Sequence, residues 1–468
     1  MGGDANQTLT IQPRRGRGSP QPQPHLFIAL EAARPLAGGA RCTLAGVRSI
    51  AVGRGEERSI AFEGASNKRD VRITVPDSWM SSEHARITRT PSGWILEDAG
   101  SKNGVSVNGA TVDRHYLGDG DVIELGRTFL VLRTGLPTPE TTAPTVESTE
   151  SSDTRGFSSL IPALAASFER AAKMATTASA IAVLGPTGSG KELCARALHD
   201  ASGRSGRFVA VNCGALADSV LESELFGYVA GAFSGAVKDR VGLIESSSGG
   251  TLFLDEIGEL GAKAQAALLR VLQEKEIRPV GANEARDVDL HVLSATHQPV
   301  AALAERGDFR EDLLARIAGF EMHLPPLCDR REDLGHIIAT LLPRISKRPT
   351  EVAIAEDVAR AYLAYGWPRN VRELEASLLR ALTLGDGVSV EATNLEPTIG
   401  SSKLNLTRAK SESEELGAED EERRTRLIAL LNEHEGNVSA VAREMGALRQ
   451  TVQKWLKRYG VDARDYRT

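Results

Sequence analysis

Cysteine is scarce. The chain has four in 468 residues (Cys42, Cys194, Cys213 and Cys328), at spacings that match no metal-ligand pattern. Such scattered cysteines exclude a disulfide framework and read as reduced, buried thiols of a cytoplasmic protein. Long apolar runs are also missing. The longest, such as residues 181–184 and 251–254, are strand-sized, far short of the roughly 20 residues that span a bilayer. The chain does not open on a charged-then-apolar signal segment, and Asn6 stands where myristoylation after Met1-Gly2 requires Ser or Thr. The expectation is a cytoplasmic chain with no membrane association. Charge of one sign is lacking too: 56 Lys and Arg against 62 Asp and Glu leave a net charge of −6, so the average composition carries no sign of nucleic-acid binding.

What is present is an ordinary soluble balance, 41% apolar and 25% charged, over a length that predicts roughly two to four domains. Residues 1–25, rich in Gln, Pro, Arg and Gly, read as a disordered tail. Residues 26–133 carry short alternating runs such as Val71-Arg72-Ile73-Thr74-Val75 and Gly104-Val105-Ser106-Val107, and Asn108-Gly109 is a hairpin turn signal, so this part is all-β. Residues 134–156, with seven threonines and three prolines, read as a linker. Residues 157–397 alternate apolar strands with amphipathic helices, the pattern of an α/β domain with a mostly parallel sheet. Residues 398–422 form an acidic linker, with seven acids in the twelve residues 411–422. Residues 423–468 are helical, and residues 437–460 hold five basic residues against one acidic residue. The chain thus divides into an all-β domain, an α/β domain and an all-α end.

The strand at residues 181–184 runs into Gly185-Pro186-Thr187-Gly188-Ser189-Gly190-Lys191-Glu192 and then a helix starting near Leu193. Glycines let such a loop wrap backbone N–H groups around phosphates, and the helix N-terminus adds its dipole. Lys191 can reach the β- and γ-phosphates. Glu192 stands where a magnesium-binding Ser or Thr is usual, and a Gly-rich strand–helix turn is the competing reading. The second half of the pattern is Gly249-Gly250-Thr251-Leu252-Phe253-Leu254-Asp255-Glu256, an apolar strand ending in two carboxylates. Asp255 is placed to hold magnesium and Glu256 to polarise the attacking water. The pair together points to hydrolysis of a nucleotide, with Mg2+ as the metal.

The motif GPTGSGKE resembles the phosphate loop of sigma-54-dependent enhancer-binding proteins, bacterial transcription activators of the AAA+ class, in which Glu follows the lysine. Glu224-Leu225-Phe226-Gly227 followed by Gly231-Ala232-Phe233-Ser234-Gly235-Ala236 is similar to that family's polymerase-contacting loop, with Ser234 in place of Thr. The resemblance covers nearly all of residues 157–397. It implies that Asn212 holds the catalytic glutamate until the loop is engaged. It assigns Arg310 and Arg316, in Phe309-Arg310-Glu311-Asp312-Leu313-Leu314-Ala315-Arg316, as arginine fingers from a neighbouring subunit. Arg372, in Trp367-Pro368-Arg369-Asn370-Val371-Arg372-Glu373-Leu374, is implied to sense nucleotide in cis. Thr296-His297 occupies the polar sensor position, with His297 where the family has Asn, and an imidazole there can donate towards the γ-phosphate. Cys328 stands where the family has Arg.

The two ends extend the resemblance. The last segment reads helix, turn at Gly446, helix, and looks like the family's Fis-type DNA-binding module, with Arg449, Gln450, Thr451, Gln453 and Lys454 implied to face a groove. Residues 26–133 resemble the forkhead-associated (FHA) fold, a phosphothreonine-reading sandwich. Gly53-Arg54, Ser81-Ser82-Glu83-His84, Gly100-Ser101-Lys102-Asn103-Gly104 and Val107-Asn108-Gly109 carry that likeness. It implies that Arg54 and Ser81 bind phosphate, Asn103 the peptide backbone, and that His84 is structural. A structural sandwich packed on the motor competes with that reading. The partners implied are sigma-54 RNA polymerase holoenzyme, upstream enhancer DNA, a phosphothreonine protein or Ser/Thr kinase, and copies of the chain itself, from dimer to hexameric ring. An AAA+ remodeller of another target and a DNA-bound regulator with a weak ATPase are the alternatives.

Overall fold

In the computed structural model, residues 20–65, 68–148, 157–177, 180–215, 217–234, 236–402, 418–434, 436–447, 449–458 and 461 are described. Strand alternation builds the N-terminal part into two facing sheets. In Lys68–Val75 the side chains of Val71, Ile73 and Val75 are buried while Arg72 is exposed, the signature of one face on a core. The six-stranded sheet runs Arg114–Leu117, Gly93–Asp98, Ala85–Thr90, Val47–Arg54, Lys68–Val75, Ser59–Ala65; the seven-stranded sheet centres on Gln21–Glu31 and Thr128–Thr138. Asn108 (φ 51°) and Gly109 (φ 81°) join Val105–Val107 to Ala110–Val112. Two consecutive left-handed residues make the turn that matches strand twist, which is why Asn-Gly stands there.

Both expected boundaries of this domain move outward. The tail expected over residues 1–25 gives way to a strand at Gln21, which pairs with Thr138. Pro22 and Pro24 are tolerated because the other neighbour, Ala40–Thr43, pairs only from His25 onward, leaving one side of the strand open. The linker expected over 134–156 is sheet to Thr138, and Thr145–Glu147 then pairs with Ala40–Thr43. Threonine is β-branched and fits a strand, which a reading by linker composition discounts. Residues 149–156 of that expected linker, and residues 1–19 of the tail, lie outside the described residues.

The α/β part holds five parallel strands in the order Phe208–Asn212, Thr251–Asp255, His291–Thr296, Ala180–Leu184, Glu321–His323. Helices Pro162–Ala175, Lys191–Ser202 and Ala262–Glu274 belong to this part, and the lid follows with Leu334–Ile345, Glu356–Ala364 and Asn370–Leu384. The lid and the sandwich share one apolar core. Phe27, Ala29, Phe129 and Val131 pack with Leu334, Ile338, Leu341, Val358 and Tyr362. A Cβ at Gly335 would lie 2.4 Å from Ala29 O, so only glycine lets this helix approach the strand so closely. Ile354 N donates to Ala32 O at 2.7 Å, and Arg360 makes a bidentate pair with Glu124 at 2.6 and 2.7 Å.

Residues 405–468 form a separate compact unit. Its helices are Ala418–Glu433, Val438–Glu444 and Arg449–Arg458, around Leu427, Leu431, Val441, Val452 and Leu456. The first of them begins inside the expected acidic linker, at Ala418. Acids at a helix N-terminus are favoured by its dipole, so a charge run there is compatible with helix. Asn437 caps the second helix, accepting from Ser439 N and Ala440 N. Among the described residues no helix is long and apolar enough to cross a membrane. Three cysteines are buried, whereas Cys328, expected to be buried, is exposed.

Candidate nucleotide and phosphopeptide sites

The parallel strands end side by side and bring four sequence-predicted groups together: the 185–192 loop, Asp255, Glu256 and His297. The helix after the loop starts at Lys191, two residues earlier than expected, behind Gly190 at φ 102°. A Cβ at Gly188 would lie 2.2 Å from Arg369 O, so the loop can pass under the lid only as glycine. Lys191 is 6% exposed and its Nζ donates to Gly185 O at 3.0 Å, folded back over the loop. Ser189 Oγ is buried without a partner, and a Cβ at Gly190 would meet nothing within 4 Å. An orphaned hydroxyl, open space at the helix N-terminus and a lysine whose hydrogen bonds go to loop carbonyls fit a phosphate chain. Glu192 points elsewhere, pairing with Arg196 at 2.8 Å.

Burial and the neighbouring Glu256 raise the Asp255 carboxyl above its ordinary range, while Lys191 opposes them. A cation would relieve that cost. Among the described residues no group of three or more His, Cys, Asp or Glu is arranged to hold a metal ion. One carboxylate plus substrate phosphates is nevertheless the usual way magnesium is held. Glu256 has left-handed backbone (φ 51°, ψ 51°). Its carboxylate lies 3.7 Å from Lys191 Nζ through Oε1 and accepts from His297 Nδ1 at 2.7 Å through Oε2.

Two expectations differ here. Asn212 stands beside Asp255 in the strand register, yet its Oδ1 accepts from Gly214 N at 3.0 Å, and among the described residues no hydrogen bond joins it to Glu256. His297, expected to reach towards phosphate, turns to Glu256 instead. Thr296 is buried and its carbonyl accepts from Gly185 N at 3.2 Å, tying the sensor strand to the loop. Arg372 sits over Gly188, its backbone N donating to Gly188 O at 3.4 Å. Two residues without an assigned role also hold the loop. Asn370 Nδ2 donates to Thr187 O at 2.9 Å, and buried Arg330 donates to Ser189 O at 2.7 Å. Asn370 has φ 55°, a left-handed position that Asn accepts better than most residues, which was the available signal.

Arg310 and Arg316 are both exposed, away from the chain's own loop. Arg310 pairs with Asp312 at 2.7 Å. Arg316 lines a cavity of about 360 Å³ with Ala180 and His291, at the opposite ends of the strands from Lys191. The loop at 231–236 leaves the same domain: Gly231 (φ 84°) donates to Ala236 O at 2.8 Å, and Phe233 stays 45% exposed with its ring edge-on to Tyr228 at 4.9 Å. Ala232 and Ser234 flank it; Gly235 lies outside the described residues.

In the sandwich, Arg54 is exposed and its backbone N donates to Ser81 O at 2.8 Å. Ser81 Oγ accepts from Lys102 N at 3.2 Å, and Asn103 Nδ2 donates to Trp79 O at 2.6 Å. The three expected ligands therefore stand on neighbouring loops. A Cβ at Gly53 would lie 1.9 Å from Ser82 O, which demands glycine before Arg54. His84 is fully buried: Nδ1 accepts from Ser81 N at 2.9 Å, so Nε2 carries the proton to Gly104 O at 3.0 Å. The expected structural role is what it performs. In the C-terminal unit Arg449 and Gln453 are exposed one turn apart on the helix whose Val452 and Leu456 are buried, while Thr451 is half-buried. Gln450 and Lys454 have side chains outside the described residues.

A phosphate loop, an acidic strand end and a helical lid define an ATPase of the AAA+ class, here joined to an all-β FHA domain. Residues 159–323 match the sigma-54 interaction domain, residues 328–412 the AAA+ ATPase lid domain and residues 50–126 the FHA domain. The transcriptional regulatory protein GlrR of Escherichia coli is 36% identical over 302 residues, covering 64% of this chain and 67% of its own length. The hydrogenase transcriptional regulatory protein HoxA of Bradyrhizobium diazoefficiens is 41% identical over 292 residues, 60% of this chain and 59% of its own. The structure of NtrX from Brucella abortus in complex with ADP shares 31% identity over 64% of this chain and 68% of that one, with a TM-score of 0.47. The chain belongs to the family of transcriptional regulators that carry a sigma-54 interaction domain. It spans 59% and 67% of the length of the first two relatives.

Proposed function

We propose that the chain is a sigma-54-dependent transcription activator, driven by ATP hydrolysis in an oligomeric ring and gated by phosphothreonine recognition. The apposition of Lys191 and Glu256 at 3.7 Å, across the phosphate loop and the acidic strand end, carries the hydrolytic part. Bound ATP with Mg2+ supplies the phosphoanhydride whose cleavage drives the motor. Lys191 leaves its loop carbonyls for phosphate, Asp255 would hold the metal, and Glu256 accepts a proton from water. Arg310, released from Asp312, and Arg316 of an adjoining copy stabilise the developing charge, so turnover depends on assembly, with a hexamer as the expected ring. The Gly231–Ala236 segment engages sigma-54 through Phe233 and drives promoter opening by the polymerase holoenzyme. The C-terminal helices place the ring on upstream DNA through Arg449, Gln450, Thr451, Gln453 and Lys454. Arg54, Ser81 and Asn103 read a phosphothreonine on a signalling protein or kinase.

The test is ATP turnover and sigma-54 promoter opening by the full chain. Lys191→Ala should abolish ATP binding, and Glu256→Gln should bind ATP while turning over about 100-fold more slowly or worse. Wild-type ATPase without promoter opening would favour the remodeller of another target. Arg54→Ala should weaken binding of phosphothreonine peptides and leave basal ATP turnover by the full chain unchanged; equal binding of phosphorylated and unphosphorylated peptide would leave a purely structural sandwich.

A further inference from the structure

We infer that His297 is the positioning residue for Glu256, aiming the carboxylate that polarises water; the inference rests on the hydrolytic reading of this site. Three observations carry it. The carboxylate has two oxygens, and each is engaged by a different element: Oε1 lies 3.7 Å from Lys191 Nζ, Oε2 accepts from His297 Nδ1 at 2.7 Å and lies 3.4 Å from His297 N. Asn212, the residue expected to hold that glutamate until the loop is engaged, is committed to Gly214 N on its own turn. Glu256 also stands on left-handed backbone, φ 51° and ψ 51°, where a residue with a side chain is held by its surroundings rather than by preference.

The two contacts have different fates. Lys191 is the group that phosphate draws away, which frees Oε1 to accept from water. His297 contacts only the far oxygen and stays, so its Nδ1–H fixes the direction in which Oε1 points. A base oriented by a third group is a recurrent way of holding proton-transfer geometry. The backbone gives this contact a link to the loop, since Thr296 O accepts from Gly185 N at 3.2 Å one residue before His297. A role in the core does not account for the imidazole. Its side chain is 43% exposed, and among the described residues its hydrogen-bond partner is Glu256.

The experiment measures kcat and KM for ATP on the full chain at ring-forming concentration for wild type, His297→Ala, His297→Asn and Asn212→Ala. Removing the donor should lower kcat about tenfold with KM for ATP within about twofold, because the contact is to the base and not to phosphate. His297→Asn, which keeps a side-chain N–H donor, should recover kcat to within about threefold of wild type, and Asn212→Ala should fall less than His297→Ala. An unchanged or increased kcat in His297→Ala overturns the inference, the increase showing a restraint rather than an aim. So does a raised KM at constant kcat, which would make the imidazole a nucleotide ligand, or a large loss confined to Asn212→Ala. Failure of the hydrolytic reading itself looks different: wild type and Glu256→Gln would then turn over ATP alike.

Discussion

Arg330 and Arg331 are adjacent in the chain and hold two different domains: Arg330 Nη2 donates to Ser189 O of the phosphate loop at 2.7 Å, and Arg331 Nη2 to Gly120 O of the sandwich at 2.9 Å. The segment that carries them, Leu327–Asp333, makes further ties to each side. Glu332 pairs with Arg133 of the sandwich, Asp333 accepts from Ser159 Oγ at 2.6 Å and Leu160 N at 2.7 Å, and Leu327 N donates to Asn370 Oδ1 at 2.8 Å. One short segment thus joins sandwich, lid and nucleotide loop.

The first prediction separates the two arginines. Arg330 is buried, with burial pulling its guanidinium below its usual range and Asp333 opposing that. Arg330→Met leaves Ser189 O without its buried donor and removes a positive charge felt by Asp333, and should cost about 1–3 kcal/mol, with a raised KM for ATP. Arg331→Ala loses one hydrogen bond and should cost about 1 kcal/mol with KM unchanged. Urea unfolding and steady-state turnover check both. Equal KM effects from the two variants would mean that the division between them is wrong.

The second concerns the shared core. Ile338 is fully buried between the lid helix and the sandwich strands. Ile338→Ala should cost about 2–5 kcal/mol. Because one core serves both domains, sandwich and lid should lose stability together. Hydrogen exchange checks this: amides of Phe27–Leu30 and of Glu356–Ala364 should both lose protection. Loss confined to the lid would show two independent domains in contact.

These contacts mark where the sequence stops being legible. The phosphate loop, the Asp255-Glu256 strand end and the Asn108-Gly109 turn are readable because each chemistry is local: a few residues at fixed spacing dictate it. The union of sandwich and lid is not, because Phe27 and Ile338 meet only in the folded chain, and each reads alone as an ordinary core residue. Strand at 21–25, 134–138 and 145–147 was hidden behind Pro and Thr, whose linker-like composition outweighed the edge-strand and β-branched arguments. The partner of Glu256 was hidden for a third reason. Asn212 ends one and His297 follows the other of the two strands that flank Thr251–Asp255, and the sequence says nothing of which side chain turns towards the carboxylate.

The third prediction is a pH dependence. Burial, aided by Arg41, holds the His25 imidazole down to about 4, and burial, aided by Arg204, does the same to His291, against an ordinary value of 6.5. Both pKa values are depressed in the folded chain, so between pH 6.5 and 4 the unfolded chain binds more protons and stability falls as pH falls. Stability present above that window should drop by on the order of 2 kcal/mol per imidazole at pH 5. Urea midpoints at pH 7.5 and pH 5 check it. The double variant His25→Gln, His291→Gln should lose distinctly less on acidification than wild type; an equal loss would assign the effect to other groups.

The fourth prediction concerns Phe233. Its ring meets Tyr228 on one edge and remains 45% exposed, so it contributes a single aromatic contact to its own fold while keeping apolar surface in water. Around it, the bond from Gly231 N to Ala236 O closes the base of the loop, and Gly231 holds a left-handed φ of 84°. A glycine at that position lets the loop take a shape that a residue with a Cβ would resist. An apolar group held out on such a loop gains most of its burial from a partner. Phe233→Ala should therefore cost under about 1.5 kcal/mol in urea unfolding, the scale of one aromatic pair. ATP turnover and ring formation should persist at wild-type levels. Capture of sigma-54 in the presence of ATP with a metal fluoride, and promoter opening by the holoenzyme, should both be lost. Ser234→Ala asks separately whether the hydroxyl matters, and should retain capture if the ring of Phe233 supplies the contact. Normal promoter opening by Phe233→Ala would remove the loop from the coupling path, and loss of ATP turnover in the same variant would make Phe233 part of the fold of the motor instead.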